Sequence, residues 1–143
     1  MTASLNMPPA VAEALGCWHA MIAAGDLGQL PELLHPQALF RSPMAFKPYA
    51  GAPMVNLILN TVLTVFEDFA YHRELASADG LSLVLEFSAK VGERELKGID
   101  MIRFDEEGKI VEFEVMIRPM SGLQALGEEM ARRLAPLLSG KAP

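Results

Sequence analysis

Apolar residues recur at helical spacing in the first half of the chain and at alternate positions in the second, and the change of period falls near Phe69. Val11, Leu15, Trp18 and Ile22 share one face of a helix over residues 10–24, with Ala14 and Met21 beside them. Pro8 and Pro9 suit the entry of that helix and Gly25 its left-handed end. A second, short helix is expected within 26–34, opened by Asp26 with Gln29 three residues on, and turning Leu30, Leu33 and Leu34 to the core. His35-Pro36 ends it. Residues 38–42 read as a short strand and 43–53 as a proline-rich rim loop. Residues 54–67 read as a third helix, with Val55, Leu59, Val62 and Phe66 on one side.

The alternating half divides into strands at about 69–78, 81–91, 94–104 and 109–118. Short turns at Asp79-Gly80, Gly92-Glu93 and Asp105 to Gly108 join them, so an antiparallel meander follows. With 105–108 as the last loop, Phe104 faces Lys109, Ile102 faces Val111 and Asp100 faces Phe113. Leu96, Gly98, Asp100, Ile102 and Phe104 then share a face with Val111, Phe113, Val115 and Ile117, and Leu83, Leu85, Phe87 and Ala89 supply the matching row. Asp100 is the one carboxylate of that face. The opposite face mixes Lys97, Arg103, Glu112, Glu114 and Arg118 with Ile99, Met101 and Met116, a composition that suits a homodimer interface. A last helix over 121–138 places Glu128 and Glu129 four residues before Arg132 and Arg133, the favourable order for helix ion pairs.

Composition narrows the class. At 143 residues and 51% hydrophobic, the chain supports one core, and a single domain over 1–143 is expected. A net charge of −6 gives no footprint for nucleic acid or an anionic membrane. No segment is apolar for long enough to span a bilayer, and no signal peptide is evident, so a cytoplasmic protein is the default. Cys17, the lone cysteine, excludes an intrachain disulfide and reads as a buried, inert thiol. His19 and His35 lack metal-ligand spacing, and no glycine-rich phosphate loop occurs. No metal and no cofactor are implied. His72 alternates with Glu74 on the first long strand, with Tyr71 and Arg73 turned the other way.

The element order resembles that of the nuclear transport factor 2-like superfamily, in its SnoaL-like and ketosteroid isomerase-like branch. Local cues are Ala-Ala-Gly-Asp-Leu at 23–27, Ser42-Pro43, Gly-Ile-Asp-Met-Ile-Arg-Phe at 98–104 and Gly-Lys-Ile-Val at 108–111. The resemblance implies an α+β, cone-shaped fold, with helices packed on a curved antiparallel sheet of four long strands plus one short early strand. It implies a pocket near Trp18 and Ser42, walled by Leu85, Phe87, Phe113 and Val115, for a small and mainly apolar molecule. Residue by residue, Asp100 stands where the isomerases keep an oxyanion-binding aspartic acid. Ser42 stands where they keep the general-base aspartate, and Trp18 where they keep an oxyanion tyrosine. A serine cannot shuttle a carbon-bound proton without a neighbouring base. The expectation is therefore a pocket protein with isomerase-, cyclase- or hydratase-type acid–base chemistry, in which Asp100 is a candidate acid or hydrogen-bond donor kept protonated by its apolar surroundings, but not a standard ketosteroid isomerase. The alternative is a non-catalytic ligand-binding, accessory or dimerisation domain of the same fold.

Overall fold

The computed structural model describes residues 6–139. The helix α1, Pro9–Ala24, buries Val11, Ala14, Leu15, Trp18 and Met21, and Gly25 closes it at φ 69°. That left-handed conformation costs glycine little and directs the Gly25 and Asp26 N–H groups back onto the Ile22 and Met21 carbonyls. Cys17 lies on the opposite side of α1 and is exposed, not buried as its apolar neighbours suggest. It precedes Trp18, the inward position, so the helical period itself turns it to water.

Asp26 opens no helix. Its Oδ1 accepts a bond from the Gly28 N–H at 2.8 Å, which makes a local turn, and α2 is confined to Leu30–Leu33. β1 begins at once, Leu34–Arg41, and runs through His35-Pro36. The loop that follows contains β2, Tyr49–Ala50, before α3, Ala52–Val65. Then come β3, Glu67–Ala76; β4, Ser82–Val91; β5, Arg94–Phe104; β6, Ile110–Arg118; and α4, Met120–Ser139.

These strands form one mixed sheet of six, in the order β2-β1-β6-β5-β4-β3. The expected antiparallel sheet of four long strands and one short one is corrected on three counts. β2 adds a sixth strand, through a two-residue pairing with β1. β1 lies parallel to β6, so the sheet is not purely antiparallel. The sheet is open, with β2 and β3 as its edges, and it does not curl strongly into a cone. Pairings between distant segments leave no local trace, which is why β1's eight residues and parallel partner escape a reading by period.

The last hairpin is offset by two residues from the simple expectation. Asp100 pairs with Val115 and Ile102 with Phe113, and the register slips by one between Arg103 and Phe104, so that Phe104 pairs with Ile110. A shift of two leaves every side chain on its face, whereas the bulge brings Ile110 inside in place of Val111. The inner face of β4, β5 and β6 thus presents Leu83, Leu85, Phe87, Leu96, Ile102, Phe113 and Val115 to the helices.

Candidate active site

Between the inner sheet face and helices α1, α3 and α4 lies a cavity of about 220 Å³. Asp100 is the one acidic side chain lining it among the described residues, and it is 6% exposed. Its Oδ2 accepts a bond from the Tyr71 hydroxyl at 2.5 Å, and the Tyr71 oxygen in turn accepts from the Trp18 indole N–H at 2.9 Å. The chain of three bonds together α1, β3 and β5. Burial, opposed by the Tyr71 bond, pushes the Asp100 carboxyl up to about 7. Burial first, then the Asp100 charge, raises Tyr71 well above the ordinary phenol, so that it stays a hydrogen-bond donor.

Tyr71 escaped the reading of the sequence because β3 does not alternate cleanly. The pairing with β4 shifts between Tyr71 and Glu74. Tyr71 opposes Phe87 and Glu74 opposes Leu85, both inward residues of β4, while His72 and Arg73 together turn outward. There His72 Nε2 lies 2.7 Å from the Ser88 Oγ, and Arg73 makes two bonds of 2.8 Å to Glu86. His72 and Glu74, which simple alternation puts on one face, therefore lie on opposite faces of the sheet. Glu74 instead stands 2.8 Å from His19 Nε2, whose ring meets Tyr71 edge-on at 5.3 Å. The signal available was a tyrosine on a strand one removed from Asp100's own, and strict alternation hid it.

Of the residues singled out in the sequence, Trp18, Ser42, Asp100, Phe113 and Val115 line the cavity. Leu85 and Phe87 do not; both are fully buried behind it. Phe69 stacks on Phe87 at 5.0 Å and Phe66 packs against it at 5.5 Å, and these two aromatics line the cavity in its place. Ser42 sits at the mouth, its Oγ accepting from the Met44 N–H at 2.9 Å, which leaves the hydroxyl proton unengaged by that bond. Arg41 points away and pairs with Glu112 at 2.5 Å.

A carboxyl buried in an apolar chamber, pushed up to about 7 and hydrogen-bonded to a phenol, can exchange its proton near neutral pH. Comparison with solved structures agrees with the architecture. A steroid delta-isomerase from Pseudomonas aeruginosa is 74% identical, with 95% of this chain and 99% of that chain covered, at a TM-score of 0.92. An uncharacterised protein conserved in bacteria with a cystatin-like fold, from Silicibacter pomeroyi, is 33% identical over 90% of this chain and 87% of its own, at 0.78. A nuclear transport factor 2-like protein of unknown function from Mesorhizobium loti is 16% identical over 77% and 92% of the two chains, at 0.67, and shares the fold. No family model and no curated protein matches. The chain belongs to the nuclear transport factor 2-like superfamily. Within it, the likeness lies with the SnoaL-like and ketosteroid isomerase-like branch.

That identity overturns the expectation that the chain departs from a standard ketosteroid isomerase. The exclusion rested on Ser42 and on Trp18 in place of a tyrosine. In the structure a phenol reaches the cavity from β3 instead of α1: Tyr71 accepts from the Trp18 N–H and donates its single proton to Asp100.

Proposed function

We propose that this protein is an isomerase that moves a carbon–carbon double bond next to the carbonyl group of a steroid-type ketone, with Asp100 as the proton carrier. The observation that carries the reading is the Asp100 carboxyl, buried in an apolar cavity and poised at about 7. The name of the 74% identical relative supports the reaction class. In the ionised form, Asp100 takes the proton from the carbon between the carbonyl and the double bond. The electron pair passes into the carbonyl to give a dienolate. Asp100 then returns the proton to the far carbon of the former double bond, so that no atom is gained or lost. Tyr71 steadies the carboxylate through Oδ2 and leaves the other oxygen for the substrate. The Ser42 hydroxyl at the mouth is a donor for ligand oxygen. The apolar walls, Phe40, Phe69, Phe113 and Val115 among them, suit a flat hydrocarbon frame and exclude water that would quench the dienolate.

The test is turnover of an unsaturated ketosteroid with its double bond one carbon out of conjugation, followed by the absorbance of the conjugated product. Asp100→Asn is expected to lower kcat by about 10²–10⁴-fold, the usual contribution of a positioned acid–base group. Turnover undiminished in that variant would refute the role given to Asp100. Two further features belong to the proposal. One is pairing of two copies through the outer sheet face, where Met116 is 45% exposed beside Ile99. The other is a cytoplasmic setting, in keeping with the exposed thiol of Cys17. No helix among the described residues is long and apolar enough to cross a membrane.

A further inference from the structure

The mouth of the cavity has two sides. One is the loop after β1, with Ser42, Pro43, Met44 and Tyr49; the other is α4, which contributes Leu126, Gly127, Met130, Ala131 and Leu134 to the lining. Met44 spans the two. Its side chain is 53% exposed, yet its tip occupies the space that a side chain at position 127 would need. A Cβ built on Gly127 would stand 2.4 Å from the Met44 Cε and 2.9 Å from its Sδ. Glycine in a helix interior costs stability relative to alanine, so a close contact is the physical return at this position.

Helix α4 is fastened at both ends of that contact. Near its start, Gly122 lets it lie on β5, where a Cβ would come 2.8 Å from the Leu96 Cβ. Further along, the Arg133 guanidinium donates to the Thr64 carbonyl at 3.1 Å and to its Oγ1 at 3.0 Å, at the end of α3. Glu129 holds the same arginine from within α4, 2.8 Å from its Nε. The helix side of the contact is thus tied to β5 and α3, and the side chain set against it is an unbranched, adaptable methionine.

We propose that Met44, seated on Gly127, is the specificity-determining residue of the cavity, closing its mouth over the end of the ligand remote from Asp100 and rejecting ligands with a substituent there. This rests on the reading of the cavity as a substrate site. Asp100 and Met44 line the same cavity, so a steroid bound with its carbonyl end at Asp100 would turn its far ring toward the mouth, and a side chain on that ring toward the Met44 thioether.

Trp18, the one tryptophan of the chain, lines the cavity and is 2% exposed, so its emission reports both occupancy and access. Affinities for androst-4-ene-3,17-dione and for progesterone, which carries an acetyl group on the far ring, are measured by its quenching. Met44→Ala is expected to shift the ratio about tenfold toward progesterone, since a small group in an apolar pocket discriminates on that scale. Met44→Leu, which restores bulk, keeps the original ratio. Gly127→Ala pushes the methionine tip aside and shifts the ratio in the same direction as Met44→Ala, without loss of melting temperature. A ratio unchanged by both Met44→Ala and Gly127→Ala overturns the proposal.

Acrylamide quenching of Trp18 with no ligand present separates the two ideas. It rises in Met44→Ala and not in Met44→Leu if the mouth is closed by this side chain, even should neither steroid bind. Failure to bind steroids alone tells against the substrate reading. Quenching equal in all forms tells against Met44 as the closure.

Discussion

Asp100 loses nearly all its water in the folded chain, and the Tyr71 hydroxyl returns a single hydrogen bond. Its folded pKa of about 7 lies above the unfolded value of 3.8, so the folded chain holds the proton more tightly. The stability this group contributes is complete below the unfolded pKa and is lost as pH rises through the folded one. A shift of this size corresponds to a few kcal/mol at about 1.4 kcal/mol per unit. Asp100→Asn should therefore raise the melting temperature relative to the parent at pH 8, and the gain should vanish near pH 4. Thermal denaturation at the two pH values checks it, and a gain at pH 4 equal to that at pH 8 would contradict the burial argument. The same carboxyl must be ionised to act as base, so kcat/KM should climb with pH through about 7. Tyr71→Phe keeps the edge contacts with Phe69 and Phe87 but removes the bond that lowers Asp100. Its pH–rate profile should move to higher pH, an outcome that loss of packing alone would not produce.

Elements differ in how plainly the sequence announces them. The helix α1 and the strands β4 and β5 repeat their apolar residues at 3.6 or 2, and the structure places them within two residues of that reading. β2 has two residues, Tyr49 and Ala50, which pair with Phe40 and Leu39 across the intervening loop, so no period exists to detect. In β3, two successive outward residues, His72 and Arg73, break the alternation and bring Tyr71 and Glu74 onto one face. The candidate site was legible where it depended on one strand, as at Asp100, and illegible where it depended on this bulge. Gly98 gives the element-scale test. A Cβ there would lie 2.5 Å from the Met116 carbonyl oxygen and 2.7 Å from the Phe87 ring, so β5, β6 and the core meet with no slack. Gly98→Ala should cost about 1–3 kcal/mol, the usual penalty for overpacking, read as a lower midpoint in urea. A midpoint equal to the parent's would show that the hairpin yields more readily than its register suggests.

For the whole molecule, the two faces of the sheet carry opposite solutions to burying charge. Inside, Asp100 stands among hydrocarbon with a neutral partner and is pushed toward protonation. Outside, Glu86 is fixed by Arg73 at 2.8 Å and Lys97 at 3.1 Å, bonds that hold it down to about 2. This charged cluster borders a shallow hollow formed by Gly98, Ile99, Met116, Ile117 and Arg118. Helices cover the inner face, whereas Met116 remains 45% exposed on the outer one, beside a carboxylate whose charge is already matched. Apolar centre and paired charges are what an interface between copies requires, since an unmatched charge would resist losing water there. Sedimentation at micromolar concentration should thus give twice the 15.6 kDa of one chain. Met116→Lys places a new cation against Lys97 and Arg118, and across a two-fold axis it meets its own copy, so the variant should sediment as a monomer. Leu75→Lys, on the edge strand β3 and 56% exposed, changes charge equally but lies away from this hollow, and it should remain dimeric. A parent chain that sediments as a monomer, or a Met116→Lys form that pairs as well as Leu75→Lys, would remove the outer face as the meeting surface.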